Sequence, residues 1–500
     1  MRRGFLSLFS GNLAGKVLGL LREVVLAALF GTSTTVGAYR VANTGTFVAV
    51  NFFTADAISV GFLPNYSRFL KSDRRAATIY LATVQRILFV LAVAVALTLT
   101  FGRDVLAYLL APGLSSPALS LAADMLGVMA IATPFYVYVN LASYIEIAHG
   151  RYTIASTRPA AQSVGLIGGT FVAFYLGEPL WLAGGFLTAY ALLSVWAFSR
   201  VRGSGYTARS HFGANPPSRR ERRDARVLFF KTVAPVMWIP LILQGGGVAE
   251  RAIASFVSES AVAALDYARL ISETTQVLIA APLGIIMLAS LGTLSEREFK
   301  SSVSTVGNTV LLVCVPLSGL LVVVSEPLIT LVYGRGAFGD ESIAVTSSIL
   351  TGLSIGLWAH TLSYTHIKAL NSRGRNKEAS IAVGAGALSM VIADLLLVPQ
   401  LGAFALGLGW SVGAVARLAI TTSRLGQLVA VGRRLGLLIP VALAATAVWL
   451  FNTSVDAPWS LLGAVTYTLV CMGLALSIPS LRRELSAIVR KKGAGPADPE

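Results

Sequence analysis

Charge is what this chain has least of. Only 13% of its 500 residues are Asp, Glu, Lys or Arg, against about a quarter in an ordinary soluble domain. That deficit, with a mean hydropathy of +0.71, means that most of the chain is solvated by lipid rather than by water. Cysteine is nearly absent as well. Cys314 and Cys471 lie in separate apolar runs and read as small hydrophobic residues, which excludes a disulfide framework. No His/Cys metal spacing, phosphate loop or nucleophile elbow occurs, so ATP hydrolysis and covalent catalysis are not expected and the chain does not read as an enzyme. No small-residue cleavage site follows Met1-Arg2-Arg3-Gly4, so the opening apolar run reads as an uncleaved first span. The basic excess, 40 Lys and Arg against 24 Asp and Glu, is spread over short loops. With no soluble basic domain to carry it, nucleic acid is not an expected partner.

Long apolar runs are what the chain has in place of charge. They fall near residues 5–30, 35–64, 77–101, 118–147, 152–176, 179–200, 227–257, 261–293, 301–324, 343–370, 376–398, 401–423, 434–451 and 457–479. That gives about fourteen segments of spanning length. Backbone groups in lipid must be satisfied internally, by helices or by a closed barrel. Runs this long, without strict alternation, exclude the barrel, and an all-α integral membrane protein is expected. Arg68, Lys71, Arg74 and Arg75, then Arg151 and Arg158, the cluster from Arg202 to Arg226, and Arg373, Arg375 and Lys377 fall in every second connection. The positive-inside rule then places both termini in the cytoplasm, which requires an even number of spans.

The basic stretch 202–226 separates two similar halves. Arg22-Glu23 followed by Ala38-Tyr39-Arg40 can be laid on Glu250-Arg251 followed by Asp266-Tyr267-Ala268-Arg269. Further on, the segment from Asp104 to Gly113 matches that from Pro327 to Gly336, and Ser143-Tyr144 matches Ser363-Tyr364. The expected organisation is a six-helix lobe over 1–201, the basic linker 202–226, and a second six-helix lobe over 227–430. Two additional helices over 431–480 and a basic tail over 481–500 complete it. A parallel repeat of this kind suits a transporter whose site lies between its halves near the membrane midplane. The linker reads first as a flexible connection carrying topology charge, with anionic lipid headgroups as its sharper use.

Charges inside the apolar runs are the candidate functional residues, because each costs at least ~2.5–3.5 kcal/mol to insert at membrane depth. They are Lys16, Arg22, Glu23, Arg40, Asp56, Glu146, Glu250, Arg251, Asp266, Arg269, Glu273, His366 and Asp394, with Asn51 beside them. Neighbours in sequence such as Arg22 and Glu23 point about 100° apart on a helix, so pairing with other helices is expected over pairing with each other. Glu146 and His366, near helix ends, read as structural. Lys16, Arg22 and Arg269 read as functional, and Arg and Lys facing one cavity would suit phosphate or diphosphate. The run Gly245-Gly246-Gly247 permits a helix to bend or approach a neighbour closely.

The stretch from Lys16 to Glu23, Phe30-Gly31, the run from Ala38 to Ala42 and Phe62-Leu63-Pro64 resemble the opening of the MurJ/MviN lipid II flippases. The segments from Glu250 to Phe256, Tyr267 to Leu270, Tyr333 to Phe338 and Leu401 to Ala403 resemble the second half of that family. The resemblance covers about residues 5–430 and implies the exporter superfamily with two six-helix lobes around a cavity. It implies an undecaprenyl-diphosphate-linked peptidoglycan precursor as substrate, the bacterial cytoplasmic (inner) membrane as location, and a groove for the lipid tail on the two additional helices. It carries the substrate-binding cations onto Lys16, Arg22 and Arg269 and the neighbouring acid onto Glu23. Arg40 and Asn51 complete the expected substrate set. A sodium site would fall on Glu250 and Asp394, with sodium or membrane potential as driving force and no other cofactor. The family's second-helix Arg pair falls on Val50 and Asn51, the acid before its aromatic pair on Gly37, and a further acid on Ala55, beside Asp56. These departures keep a related lipid-linked glycan, such as an exopolysaccharide or O-antigen repeat unit, as an alternative cargo. A cation-coupled multidrug antiporter of the same superfamily, a membrane scaffold and a membrane glycosyltransferase are the other readings. Membrane lipids and enzymes of cell-wall or polysaccharide synthesis are the expected partners of a functional monomer.

Overall fold

A computed structural model describes residues 2–206, 217–234, 238–291, 294–453, 463 and 465–471. Among these the chain is helical and contains no strand. The expected tail, the middle of the linker and most of the last expected span lie outside the described residues. Seven single helices are long and apolar enough to cross a membrane, or nine if two bent pairs each count as one span. Helices α1 (Arg2–Phe30) and α2 (Thr34–Asp56) are 29 and 23 residues long, and α2 continues through a π-helical stretch, Ala57–Phe62, into α3 (Leu63–Ser72).

The chain then follows one succession twice. The first pass is α4 (Arg74–Phe101), α5 (Arg103–Leu110), α6 (Ser116–Ile131), α7 (Thr133–Ala148), α8 (Thr153–Leu176) and α9 (Trp181–Gly203). After α10 (Arg219–Val233), α11 (Trp238–Val257) and α12 (Glu259–Leu291), the second pass begins. It is α13 (Glu296–Val323), α14 (Ser325–Tyr333), α15 (Asp340–Ile355), α16 (Leu357–Ser372), α17 (Asn376–Leu401) and α18 (Ala403–Arg424), followed by α19 (Leu428–Thr453). Corresponding helices match in length: 28 and 28 residues for α4 and α13, then 16 and 16 for α6 and α15. Each pass breaks one span at the same place. The α6–α7 pair bends by 45° and the α15–α16 pair by 51°, at Ala132 ahead of Pro134 and at Gly356. Proline lacks an N–H and glycine lacks a Cβ, so each lets the backbone ladder break.

Local sequence sets several of these ends. Ser218 and Glu221 form a capping box at the start of α10, and Ser295 and Glu298 form another at the start of α13. Each satisfies two of the backbone N–H groups that a helix start leaves open. The polar linker is therefore helical in its second half, where Arg75 meets Glu221 at 3.3 Å. Gly31, at φ +58°, closes α1 in a left-handed conformation, and the backbone of Ala28 accepts from Ala337 N at 2.8 Å.

The chain divides into two compact units. Unit 1 comprises residues Met1–Asp266 and Tyr333–Ser342, and unit 2 comprises Tyr267–Val332 and Ile343–Glu500. In unit 1, α8 packs between α1 and α9, while α6 and α7 pack against α4 and α9. The α8–α9 contact depends on small residues, since a Cβ on Gly169 would lie 2.5 Å from Gly185 Cα. Close approach of this kind replaces the hydrophobic drive that helices in lipid lack. In unit 2, α17 packs on α18 through Gly386 and Gly413, where a Cβ on Gly413 would lie 2.5 Å from the Gly386 carbonyl oxygen. The core of unit 2 gathers Val310, Leu311 and Cys314 of α13 with Leu362 of α16, Leu418 of α18 and Val441 of α19.

Candidate functional site: an ion ladder inside unit 1

Four helices of unit 1 contribute charged side chains to one continuous ladder. Arg22 Nη2 lies 2.5 Å from Glu23 Oε1 on α1. The other oxygen of Glu23 takes Arg40 Nη2 from α2. Arg40 Nε reaches Asp266 Oδ2 on α12 at 3.3 Å. Asp266 Oδ1 takes Arg251 Nη2 from α11 at 2.7 Å, and Arg251 Nη1 donates back to the Arg40 carbonyl at 2.9 Å. The linked set alternates in sign and holds three guanidiniums to two carboxylates.

The spacing noted in the sequence acquires a physical meaning here. Glu23 with Arg40 bridges α1 to α2, and Arg251 with Asp266 bridges α11 to α12. The two hairpins carry the same kind of bridge with the signs exchanged, and Arg40–Asp266 ties one bridge to the other. Arg22 and Glu23 do meet directly, contrary to the helical-wheel expectation. A guanidinium on a long, flexible stem spans the 100° between adjacent positions, while the other side of Glu23 reaches α2 as expected.

Exposure separates the members. The side chains of Arg40, Glu23 and Arg251 are 5%, 6% and 9% exposed, whereas those of Asp266 and Arg22 are 21% and 25% exposed. The interior members hold four helices in register. Removing one partner from such a buried pair leaves an uncompensated charge and costs about 3–5 kcal/mol. Arg22 is one end of the ladder, paired with Glu23 and partly exposed. Arg40, expected as a further substrate cation, lies between the carboxylates of Glu23 and Asp266.

The remaining candidates are dispersed. Lys16 is exposed on α1 and makes no ion pair among the described residues. Asn51 is half-buried and accepts from the Tyr136 hydroxyl at 3.1 Å. The side chain of Asp56 lies outside the described residues. Glu146 is fully buried, takes Arg200 Nε at 2.6 Å and accepts from Ile154 N at 2.8 Å, so it pins α7, α8 and α9 together. Glu250 is fully buried in unit 1. Arg269, Glu273, His366 and Asp394 belong to unit 2. His366 is buried and its Nδ1 meets the Thr422 hydroxyl at 3.3 Å. Asp394 is fully buried, and its carboxylate fills the space that a side chain on Gly409 would need. Among the described residues no group of three or more His, Cys, Asp or Glu side chains is placed to hold a metal ion.

Sequence reasoning passed over two groups. Arg417 of α18 donates from Nε to the Ser363 hydroxyl at 3.0 Å. Arg158 looked like loop charge but lies within α8, half-buried, donating to the Asn140 side-chain carbonyl.

Comparison with known proteins places this arrangement. The family model described as lipid II flippase MurJ matches residues 26–470. The chain belongs to the MurJ lipid II flippase family. It is similar to the probable lipid II flippase MurJ of Thermotoga maritima, 28% identical over 433 residues that cover 83% of each chain. It also resembles the lipid II flippase MurJ of Burkholderia cenocepacia, 23% identical over 82% of this chain and 81% of the relative. Its fold matches a solved lipid II flippase MurJ in an inward closed conformation at TM-score 0.77 and 19% identity, over 94% of this chain and 98% of that one. An inward-facing multidrug resistance transporter of the MATE family shares the fold at TM-score 0.70 and 14% identity, over 84% of this chain and 95% of that one. The family model begins within α1, after Glu23, and takes in Arg40, Arg251, Asp266 and Arg269. MurJ membership makes the chain a multi-pass membrane protein of a transporter family.

Proposed function

We propose that this chain carries lipid II, a polyprenyl-diphosphate-linked peptidoglycan precursor, across the bacterial cytoplasmic membrane by alternating access and without covalent chemistry. The observation that carries the reading is the ladder in unit 1. A diphosphate has to be held where water is scarce, and a guanidinium binds phosphate oxygens bidentately. Arg22 is positioned by Glu23 but left a quarter exposed, so it can take an anion without unravelling the buried frame behind it. Arg269, the cation that the family resemblance carries over in unit 2, is a further proposed substrate-binding residue. The positive-inside rule orients the termini to the cytoplasm, and membrane potential acting on the bound anion is the proposed driving force.

Reconstitution into vesicles tests this. Lipid II added to the inner leaflet becomes accessible to an impermeant reagent outside faster with the protein than in empty vesicles. A lipid-linked glycan lacking the peptide should move more slowly. Equal rates for both cargoes would favour a general lipid-linked glycan flippase, and no acceleration of either would refute the reading.

A further inference from the structure

Unit 1 holds another arginine that the ladder does not use. Arg158 lies near the start of α8, and its guanidinium donates to Asn140 Oδ1 of α7. No carboxylate pairs with it among the described residues. Glu146, the acid of α7, is occupied by Arg200 and the Ile154 N–H.

What surrounds Arg158 is polar but neutral. Asn140 donates its amide to the Tyr136 carbonyl at 3.1 Å, and the Tyr136 hydroxyl donates to Asn51 at 3.1 Å. The Tyr136 ring lies 4.8 Å from that of Tyr190, whose hydroxyl donates to Gln162 at 3.0 Å. Gln162 stands one turn beyond Arg158 on α8.

This contrasts with the ladder, where every guanidinium meets a carboxylate. A guanidinium has five N–H donors, and one amide oxygen occupies few of them. A cation kept inside a bundle without an acid is costly. The asparagine fixes its position but leaves its charge uncancelled.

We infer that Arg158 is a second phosphate-binding cation of unit 1, held by Asn140 and presented to the diphosphate of the lipid-linked substrate. The inference rests on the proposed function, and it adds a residue on α8 to a site otherwise built on α1. Asn51 and Tyr136 then line the same surface as neutral hydrogen-bonding groups.

The test measures binding to the full-length protein in zwitterionic nanodiscs, with undecaprenyl diphosphate as probe and undecaprenol as its uncharged control. Arg158→Gln should weaken diphosphate binding about 10-fold, which corresponds to losing one charge-assisted contact. Undecaprenol binding and the melting temperature should stay at the wild-type level, and Arg158→Lys should recover part of the loss. Wild-type affinity for diphosphate in Arg158→Gln would overturn the inference. An equal loss for diphosphate and undecaprenol would also overturn it, by showing a structural role. Failure of the wild-type protein to bind the diphosphate would instead bring down the lipid-carrier reading, and this inference with it.

Discussion

The two passes of the repeat are built alike and furnished differently. Helices α4–α9 and α13–α18 share lengths, a broken span and a glycine-packed pair of final helices. Yet unit 1 places carboxylates against arginines, in the ladder and again at Glu146–Arg200. In unit 2, Arg417 donates to a serine hydroxyl, and Arg375 meets Glu378 at 2.7 Å near a helix start. The shared part is what a stable membrane bundle needs. The placement of buried charge is what differs, and each such charge is costly in lipid.

The largest test of this contrast is Glu23→Gln. It takes one carboxylate from both Arg22 and Arg40, and the protein should lose about 3–5 kcal/mol of stability and most of its yield. Thermal unfolding in detergent reads the loss. A variant that melts like the wild type would mean the ladder is not a structural frame. The shared part should break equally in both passes. Gly169→Leu and Gly413→Leu both force a side chain into touching helices, and each should cost about 1–3 kcal/mol. A large loss for one and none for the other would break the equivalence of the repeats. Arg417→Gln should cost only about 1 kcal/mol, the worth of one hydrogen bond, because no acid is left stranded.

The smallest effect lies at the edge of the membrane. Hydrogen bonds from Ser115 and Thr34 hold the Glu259 carboxyl below its usual range. A carboxyl depressed in the folded state contributes stability above its unfolded value of about 4.3, and that stability is lost as pH falls through the folded value. Melting temperature against pH should show a slightly flatter acid limb for Glu259→Gln. Superimposable acid limbs would mean that these bonds contribute nothing.

Much of this was legible in the sequence. The repeat could be found because its loop motifs survive: the segment from Asp104 to Gly113 and that from Pro327 to Gly336 are the short helices α5 and α14 with the turns after them. The charges of the ladder stood out because lipid makes each one expensive. The breaks at Ala132 and Gly356 did not stand out, since hydropathy runs unchanged through a bend. Partner choice was also hidden. Glu23 and Arg40 are bridged only because α1 and α2 fold back as a hairpin at Gly31, and Asp266 joins them from α12, far along the chain. Arg158 was counted with the topology charge because it lies close to the start of α8.

The central claim is that Arg22 binds the cargo while the frame behind it holds the fold. Lipid II translocation by Arg22→Ala in reconstituted vesicles tests it most directly, alongside its melting temperature. The account predicts a protein that is made and melts close to the wild type, because Arg22 is the exposed end of the ladder, yet moves lipid II no faster than empty vesicles. A folded Arg22→Ala protein that transports at the wild-type rate would contradict it.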